Sequence, residues 1–179
     1  MPDGCCPLQE GGLEGATKDN MLRIIITAEM KEWARDKAFR HVKGKRFDDD
    51  IDKRNSVYLG YLGDAVFHKE YPYAEHCDLS DYDFLLAHNK IDVKAWWSKF
   101  KPKSEYFVQI PAIDMDRCPE VYVFVCLNEG HGLAWIVGWI YAKDFKSLAA
   151  FRKKDEERGR AIKYTADCFE MQVNNLREF

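Results

Sequence analysis

The sequence lacks the spacings that mark several common kinds of site. It has six cysteines but no Cys-x-x-Cys pair, and none of its five histidines pair at the spacing of zinc ligands. Cys126 and Cys168 stand in apolar, strand-like segments, so we expect them to be buried free thiols. No serine or cysteine stands in a recognisable nucleophile setting, which ranks a serine or cysteine hydrolase last.

Long hydrophobic runs are also missing. The longest apolar run, residues 133–142, is too short to cross a bilayer. The first residues contain no basic region followed by an apolar core, so a signal peptide is not expected. We therefore expect a soluble, cytoplasmic protein with no membrane partner.

The numbers of positive and negative side chains are nearly equal. The net charge is −3, which gives no general attraction to nucleic acid, although a local basic patch is enough for binding. The length of 179 residues and a hydrophobic content of 46% fit one globular domain, which we place at residues 21–179. Residues 1–20 are rich in glycine and poor in large apolar side chains, so they are predicted to form a disordered tail.

The order of apolar segments predicts an α/β fold with a mixed central β-sheet flanked by helices and an extra N-terminal helix. The run at 121–127 is continuously apolar, which is typical of a strand covered on both faces. Gly138 in the following strand predicts a bulge or kink. Helices are predicted at 27–41, with Thr27 as N-cap, from Asn55 or Ser56 to Glu70, and at 143–160; strands at 105–110, 121–127, 133–141 and 168–173.

The most informative stretch is residues 81–97, which predicts a β-hairpin. A two-residue turn at His88-Asn89 would place Asp83 opposite Lys94. Asp83, Asp92 and Lys94 would then share one face, with opposite residues roughly 5 Å apart. Two carboxylates at that distance repel each other, and a divalent cation between them would remove the repulsion.

Asp83 followed by Asp92-Val93-Lys94 resembles the core motif of the PD-(D/E)xK nuclease superfamily. Asp64 in the segment 60–64 is similar to the acidic residue that this superfamily carries on a preceding helix, with Asp in place of the usual Glu. Tyr82 stands where the motif has its proline. The resemblance covers roughly residues 55 to 176 and implies a restriction-endonuclease-like core.

The resemblance also implies an activity: hydrolysis of DNA phosphodiester bonds with Mg²⁺ or Mn²⁺. Asp83, Asp92 and Asp64 would hold the metal with the backbone carbonyl of Val93, and Lys94 would orient water or stabilise the transition state. These four side chains are the predicted catalytic residues. Cutting both strands of a duplex would favour a homodimer.

A nucleic-acid-binding segment is predicted directly after the hairpin. The residues concerned are Trp96, Lys99, Lys101, Lys103 and, by the resemblance, Gln109. Two other interpretations stay open. The lysines form only a solvated loop, or the chain is a catalytically inactive nucleic-acid- or protein-binding module on the same fold. A simple cross-strand salt bridge would explain Asp83 and Lys94, but not the additional charge of Asp92.

Overall fold

The computed structural model describes residues 21–42, 51–77, 81–158 and 162–179. The predicted disordered tail, residues 1–20, lies outside this part of the chain. In chain order the described elements are β1 (Leu22–Ile25), α1 (Ala28–Val42), α2 (Ile51–Glu70), β2 (Glu75–His76), β3 (Phe84–Leu86), β4 (Asn89–Trp97), β5 (Phe107–Pro111), β6 (Val121–Asn128), β7 (Leu133–Tyr141), α3 (Ala142–Leu148), β8 (Ala150–Arg152), β9 (Glu157–Arg158), β10 (Ile162–Lys163) and β11 (Cys168–Gln172). Short 3₁₀ helices follow β5, β6 and β11 at Ala112–Asp116, Glu129–His131 and Val173–Asn175.

The central sheet has six strands in the order β1-β7-β6-β4-β3-β2. Strands β4 and β6 run parallel, and the other neighbours run antiparallel. The predicted α/β fold with a mixed central sheet is confirmed. The strand predicted at 121–127 is confirmed as an interior strand, β6, and every one of its residues is buried.

Different layers cover the two faces of this sheet. Helices α1 and α2 pack on one face, where Leu62, Val66 and Phe67 meet the strand residues Val93 and Val123. The other face is covered by α3 and by a second sheet with strand order β5-β11-β8. The strand predicted at 105–110 is therefore present, but it belongs to the second sheet.

The two predicted N-terminal helices are confirmed. Thr27 caps α1, since its Oγ1 accepts a hydrogen bond from the Met30 amide at 3.3 Å. Helix α2 begins earlier than predicted, at Ile51. Strands β1, β2, β9 and β10 were not predicted. Strands β2, β9 and β10 have two residues each, whereas β1 is an edge strand whose isoleucines favour a strand.

The helix predicted at 143–160 is wrong beyond its first two turns. Helix α3 ends at Leu148, and residues 150–152 form strand β8, which pairs with β11. Phe145 is buried in the core, whereas Leu148 is 63% exposed. After residue 151 the charged segment has no apolar side chains that could extend the buried face of a helix. The charged residues favour a helix locally, but pairing with β11 decides the structure here.

Gly138 makes a close approach possible in β7. The register between β6 and β7 shifts at Phe124/Val125, which confirms the predicted bulge. A Cβ at Gly138 would lie 2.7 Å from the Arg177 carbonyl oxygen. Glycine therefore lets the C-terminal segment lie directly on β7, where Trp139 pairs with Arg177.

Two further expectations concern cysteines and membranes. Cys126 and Cys168 are buried thiols outside any disulfide, as predicted, and burial raises the pKa of Cys126 to about 12. Within the described ranges, none of the helices combines the length and apolar character needed to span a bilayer.

Candidate active site

The hairpin forms with a two-residue turn, but its register differs from the predicted one. The turn residues are Ala87 and His88, both with positive φ, and Phe84 pairs with Ile91. Asn89 stabilises this turn because its amide donates to the Ala87 carbonyl at 3.3 Å. The predicted pairing of Asp83 with Lys94 is therefore wrong. Since the pairing moves by two residues, Asp83 now precedes Phe84 at the level of Asp92.

Asp83 lies where β3 ends beside β4. Its amide donates to the Ile91 carbonyl at 2.8 Å, and its carboxylate Oδ2 accepts from the Val93 amide at 2.7 Å. The side chain thus takes the place that a continued β3 backbone would occupy. An amide and carbonyl of one strand residue point to the same side, so the Val93 carbonyl faces this edge as well.

Three aspartates converge at this edge from different elements. Asp64 lies on α2 and Asp92 lies on β4. The Asp83 carboxyl interacts electrostatically with both of them. Burial raises the pKa of Asp83 to about 9, the charges of Asp64 and Asp92 add to the rise, and the Val93 hydrogen bond offsets part of it. Asp83 is therefore protonated at neutral pH unless a cation compensates its charge.

Asp92 is the most buried of these carboxylates, with 1% of its surface exposed. The Lys94 Nζ lies 3.0 Å from Asp92 Oδ2, yet within the described residues neither Asp92 oxygen accepts a hydrogen bond of acceptable geometry. The Tyr122 hydroxyl, on the neighbouring position of β6, is also buried and unbonded there. Burial, then the charges of Asp92 and Asp114, raise the pKa of Tyr122 to about 12. Buried polar atoms without a hydrogen bond are uncommon in proteins, and a ligand, an ion or a water molecule often accounts for them.

Lys94 has a second carboxylate partner that sequence reasoning missed. Its Nζ donates to Asp114 Oδ2 at 2.8 Å. Asp114 lies on the 3₁₀ helix Ala112–Asp116 after β5, twenty residues along the chain from Lys94. Burial lowers the pKa of Lys94, but the charges of Asp92 and Asp114 and the hydrogen bond to Asp114 outweigh it, so the pKa is raised. No local sequence pattern indicates this contact, because it depends on how the second sheet packs.

The predicted lysines lie on an exposed loop beyond the end of β4. Lys99, Lys101 and Lys103 are all exposed. This loop begins at Ser98, about 20 Å along β4 from Asp92 at roughly 3.3 Å per residue. It therefore lies apart from the carboxylates and does not contribute to their site.

Trp96, the predicted aromatic contact, lies on the face of β4 that meets the second sheet. Its ring is partly buried against the core beneath the second sheet. The next residue, Trp97, is 50% exposed, and Phe100 is 69% exposed. The Lys99 Nζ lies 6.0 Å from the Trp97 ring centroid. Because strand side chains alternate between faces, the tryptophan available to a ligand is Trp97.

Gln109 is not brought to the carboxylates. Its neighbours on β5, Val108 and Ile110, point into the core between the sheets, so Gln109 points away from the central sheet. Its side-chain amide donates to Glu170 at 3.4 Å. The predicted role of Gln109 in nucleic-acid contact therefore finds no support in its position.

The site was tested for its fit to a hard divalent cation. Among the described residues, no three His, Cys, Asp or Glu side chains are arranged as a ready-made metal site. The donor chemistry nevertheless fits, since carboxylate and carbonyl oxygens are what Mg²⁺ and Mn²⁺ prefer. A cation at that point would bind the unbonded Asp92 oxygens and would offset the repulsion of Asp83 by Asp64 and Asp92.

Comparisons of this chain with protein-family models, with curated proteins and with solved structures gave no match. The resemblance to the nuclease superfamily therefore stays a prediction, and it depends on the residues described above.

Proposed function

We propose that this protein is a Mg²⁺- or Mn²⁺-dependent nuclease that hydrolyses DNA phosphodiester bonds. The observation that carries the proposal is that Asp83 interacts with both Asp64 and Asp92, while Lys94 lies 3.0 Å from Asp92 and both oxygens of the buried Asp92 are left without hydrogen bonds among the described residues. A cross-strand salt bridge does not require this arrangement, because one carboxylate would be enough to pair with the lysine.

The energetics of the cluster favour a bound cation. Like charges that are close together and partly desolvated raise each other's proton affinity. The charges of Asp64 and Asp92 add in this way to the rise that burial causes in the pKa of Asp83. A divalent cation held by Asp64, Asp83 and Asp92, with the Val93 carbonyl, would replace the proton on Asp83 and remove the repulsion. Such a cation supplies neutralisation of the phosphate charge and activation of the attacking water.

Lys94 supplies the remaining chemistry from the protein itself. Its ammonium is fixed beside Asp92 and Asp114, so it is preorganised to orient water or to stabilise negative charge that develops on the phosphate. The exposed Lys99, Lys101 and Lys103 would contact phosphates of the same strand, since they follow directly from the end of β4. A homodimer would present two such sites to the two strands of a duplex.

The test is a cleavage assay on linear duplex, circular duplex and single-stranded DNA and on RNA, with and without Mn²⁺. We expect Mn²⁺-dependent cleavage of DNA by the wild-type protein. Asp92→Asn should reduce it by at least about 100-fold, the size expected when one key electrostatic group is removed. Asp116→Asn is the matched control, because Asp116 is exposed and its substitution makes the same change in net charge. Equal rates for both variants would contradict the proposal.

A non-catalytic nucleic-acid-binding module is the second candidate. Its supporting observation is the exposed pair Trp97 and Phe100 among the three lysines of the loop, since aromatic rings stack on bases and lysines contact phosphates. This candidate predicts metal-independent binding of single-stranded DNA that weakens roughly 10-fold or more in Trp97→Ala, about the contribution of one stacked base. Binding of this kind without any cleavage would favour the module over the nuclease.

A further inference from the structure

We propose that Asp114 is a positioning residue for Lys94, which keeps the ammonium in the site when a divalent cation engages Asp92. The inference rests on the proposed function, because it concerns the same cluster of carboxylates. It adds a residue from a different part of the chain to the site.

The geometry of Lys94 carries this inference. Its Nζ lies between two carboxylates, 2.8 Å from Asp114 Oδ2 and 3.0 Å from Asp92 Oδ2. Only the contact with Asp114 has hydrogen-bond geometry. The Lys94 side chain is 15% exposed and that of Asp114 is 22% exposed, so water screens this pair only in part. The ammonium is therefore already anchored on Asp114.

The need for such an anchor follows from electrostatics. A cation held by Asp92 would stand close to the Lys94 ammonium, and two positive charges at short range in a partly buried site repel strongly. Without Asp114, Lys94 would either leave the site or compete with the cation for Asp92. A second carboxylate on the far side of the ammonium removes this competition.

Asp114 is itself held in position. It lies on the 3₁₀ helix Ala112–Asp116, and the neighbouring Met115 is buried in the core beneath the second sheet. Arg117 Nε lies 3.7 Å from Asp114 Oδ1, so the second oxygen also faces a positive charge. The carboxylate thus faces positive charge on both of its oxygens, Lys94 on one and Arg117 on the other.

The experiment is a double-mutant cycle read by Mn²⁺ affinity, measured by isothermal titration calorimetry on the full chain without nucleic acid. The variants are Asp114→Asn, Lys94→Met and the combination of both, with Asp116→Asn as control on the same 3₁₀ helix. Methionine keeps the apolar stem of the lysine but removes its charge. Circular dichroism checks that each variant is folded, and Lys94→Gln replaces Lys94→Met if the latter is not.

We expect Asp114→Asn to weaken Mn²⁺ binding by about 10-fold, because Lys94 then competes for Asp92. Asp116→Asn should stay within about twofold of wild type, and Asp114→Glu should recover most of the affinity. In the Lys94→Met background, Asp114→Asn should have no further effect, which is the signature of action through Lys94.

Three results are separable. A 10-fold loss that persists in the Lys94→Met background would overturn the inference, since Asp114 would then act on the cation directly. Equal affinities for Asp114→Asn and Asp116→Asn would overturn it as well, while leaving the nuclease proposal intact. Absence of Mn²⁺ binding by the wild-type protein would instead remove the proposed function itself, and this inference with it.

Discussion

The two faces of strand β4 are built from the same nine residues but meet very different surroundings. Ile91 and Val93 point toward the helices, where they pack with buried apolar side chains of α2. Asp92 and Lys94 point to the opposite face, where a buried carboxylate, a lysine and Asp114 meet. One face is a closed hydrophobic core, and the other contains polar atoms that the described part of the chain leaves unbonded.

This difference separates stability from function within one strand. The helix-facing side is closed by a glycine, Gly63, whose missing side chain lets α2 approach Ala95. The opposite side keeps charges that a stability argument alone would not retain, because a buried ion pair usually stabilises a fold no better than apolar residues of similar size. Buried ionisable groups with shifted pKa values, such as Asp83 and Lys94, cluster at functional sites.

The largest effect is expected from removing the charge of Lys94. Lys94→Met leaves the buried Asp92 without its cation, so the free energy of unfolding should fall by about 3–5 kcal/mol in the presence of a chelator. Mn²⁺ should restore part of this loss. Urea unfolding with and without Mn²⁺ measures both quantities.

The control for this variant is Lys90→Met, an exposed lysine on the same strand. Its loss should change the free energy of unfolding by less than about 1 kcal/mol. Similar losses in Lys90→Met and Lys94→Met would mean that the polar face of β4 is no different from ordinary surface.

The second prediction acts on the helix-facing side through two glycines of α2. A Cβ at Gly63 would lie 2.6 Å from the Ala95 Cβ, whereas a Cβ at Gly60 would have nothing within 4 Å. Gly63→Ala should therefore destabilise the protein by about 1–3 kcal/mol through overpacking. Gly60→Ala should stabilise it by up to about 1 kcal/mol, since alanine favours a helix over glycine.

Thermal unfolding of both glycine variants decides this point. Gly63→Ala should also weaken Mn²⁺ binding, because the shift of α2 displaces the adjacent Asp64. A Gly63→Ala protein as stable as Gly60→Ala would show that helix and sheet are not in close contact at this position.

The third prediction concerns Asp83, whose effect on stability is the smallest of the three when it is measured over a single pH unit. Its folded-state pKa is about 9 against an ordinary value of 3.8, so between these values the folded protein holds more protons than the unfolded chain. This contribution is fully present below about pH 4 and is lost as pH rises to about 9. The slope is at most about 1.4 kcal/mol per pH unit.

Asp83→Asn should flatten this pH dependence, and its amide oxygen can still accept the Val93 hydrogen bond. Mn²⁺ should flatten it in the wild-type protein, because a bound cation lowers the pKa of Asp83. Asp81→Asn, which changes an exposed aspartate two residues away, should leave the slope unchanged. Urea unfolding at a series of pH values gives the slopes, and equal slopes for both variants would contradict the raised pKa.

Local patterns were enough for the elements whose partners are close in sequence. Alternation within residues 81–97 predicted that Asp83, Asp92 and Lys94 share a face. Asp92 and Lys94 do, whereas the Asp83 carboxylate lies at the edge of β4 and accepts a hydrogen bond from the Val93 amide. Continuous apolarity predicted the interior position of β6. The turn itself was misplaced because Ala87 adopts positive φ, which its sequence does not signal.

The failures came where distant segments decide the structure. Residues 150–152 form a strand because they pair with β11, and Asp114 reaches Lys94 because the second sheet packs over β4. Trp96 and Trp97 are adjacent and chemically alike, so only the face that each one occupies tells which is exposed. No short segment of the sequence indicates tertiary packing of this kind.

The central claim, that the carboxylates on the polar side of β4 bind a divalent cation, is tested most directly by melting temperature. Mn²⁺ that binds only the folded state stabilises it by about 2.7 kcal/mol at 100 times its dissociation constant. We predict that the melting temperature of the wild-type protein and of Asp116→Asn rises steadily with Mn²⁺, and that Asp92→Asn loses most of this rise. The same rise in Asp92→Asn would place the ion elsewhere and contradict the account.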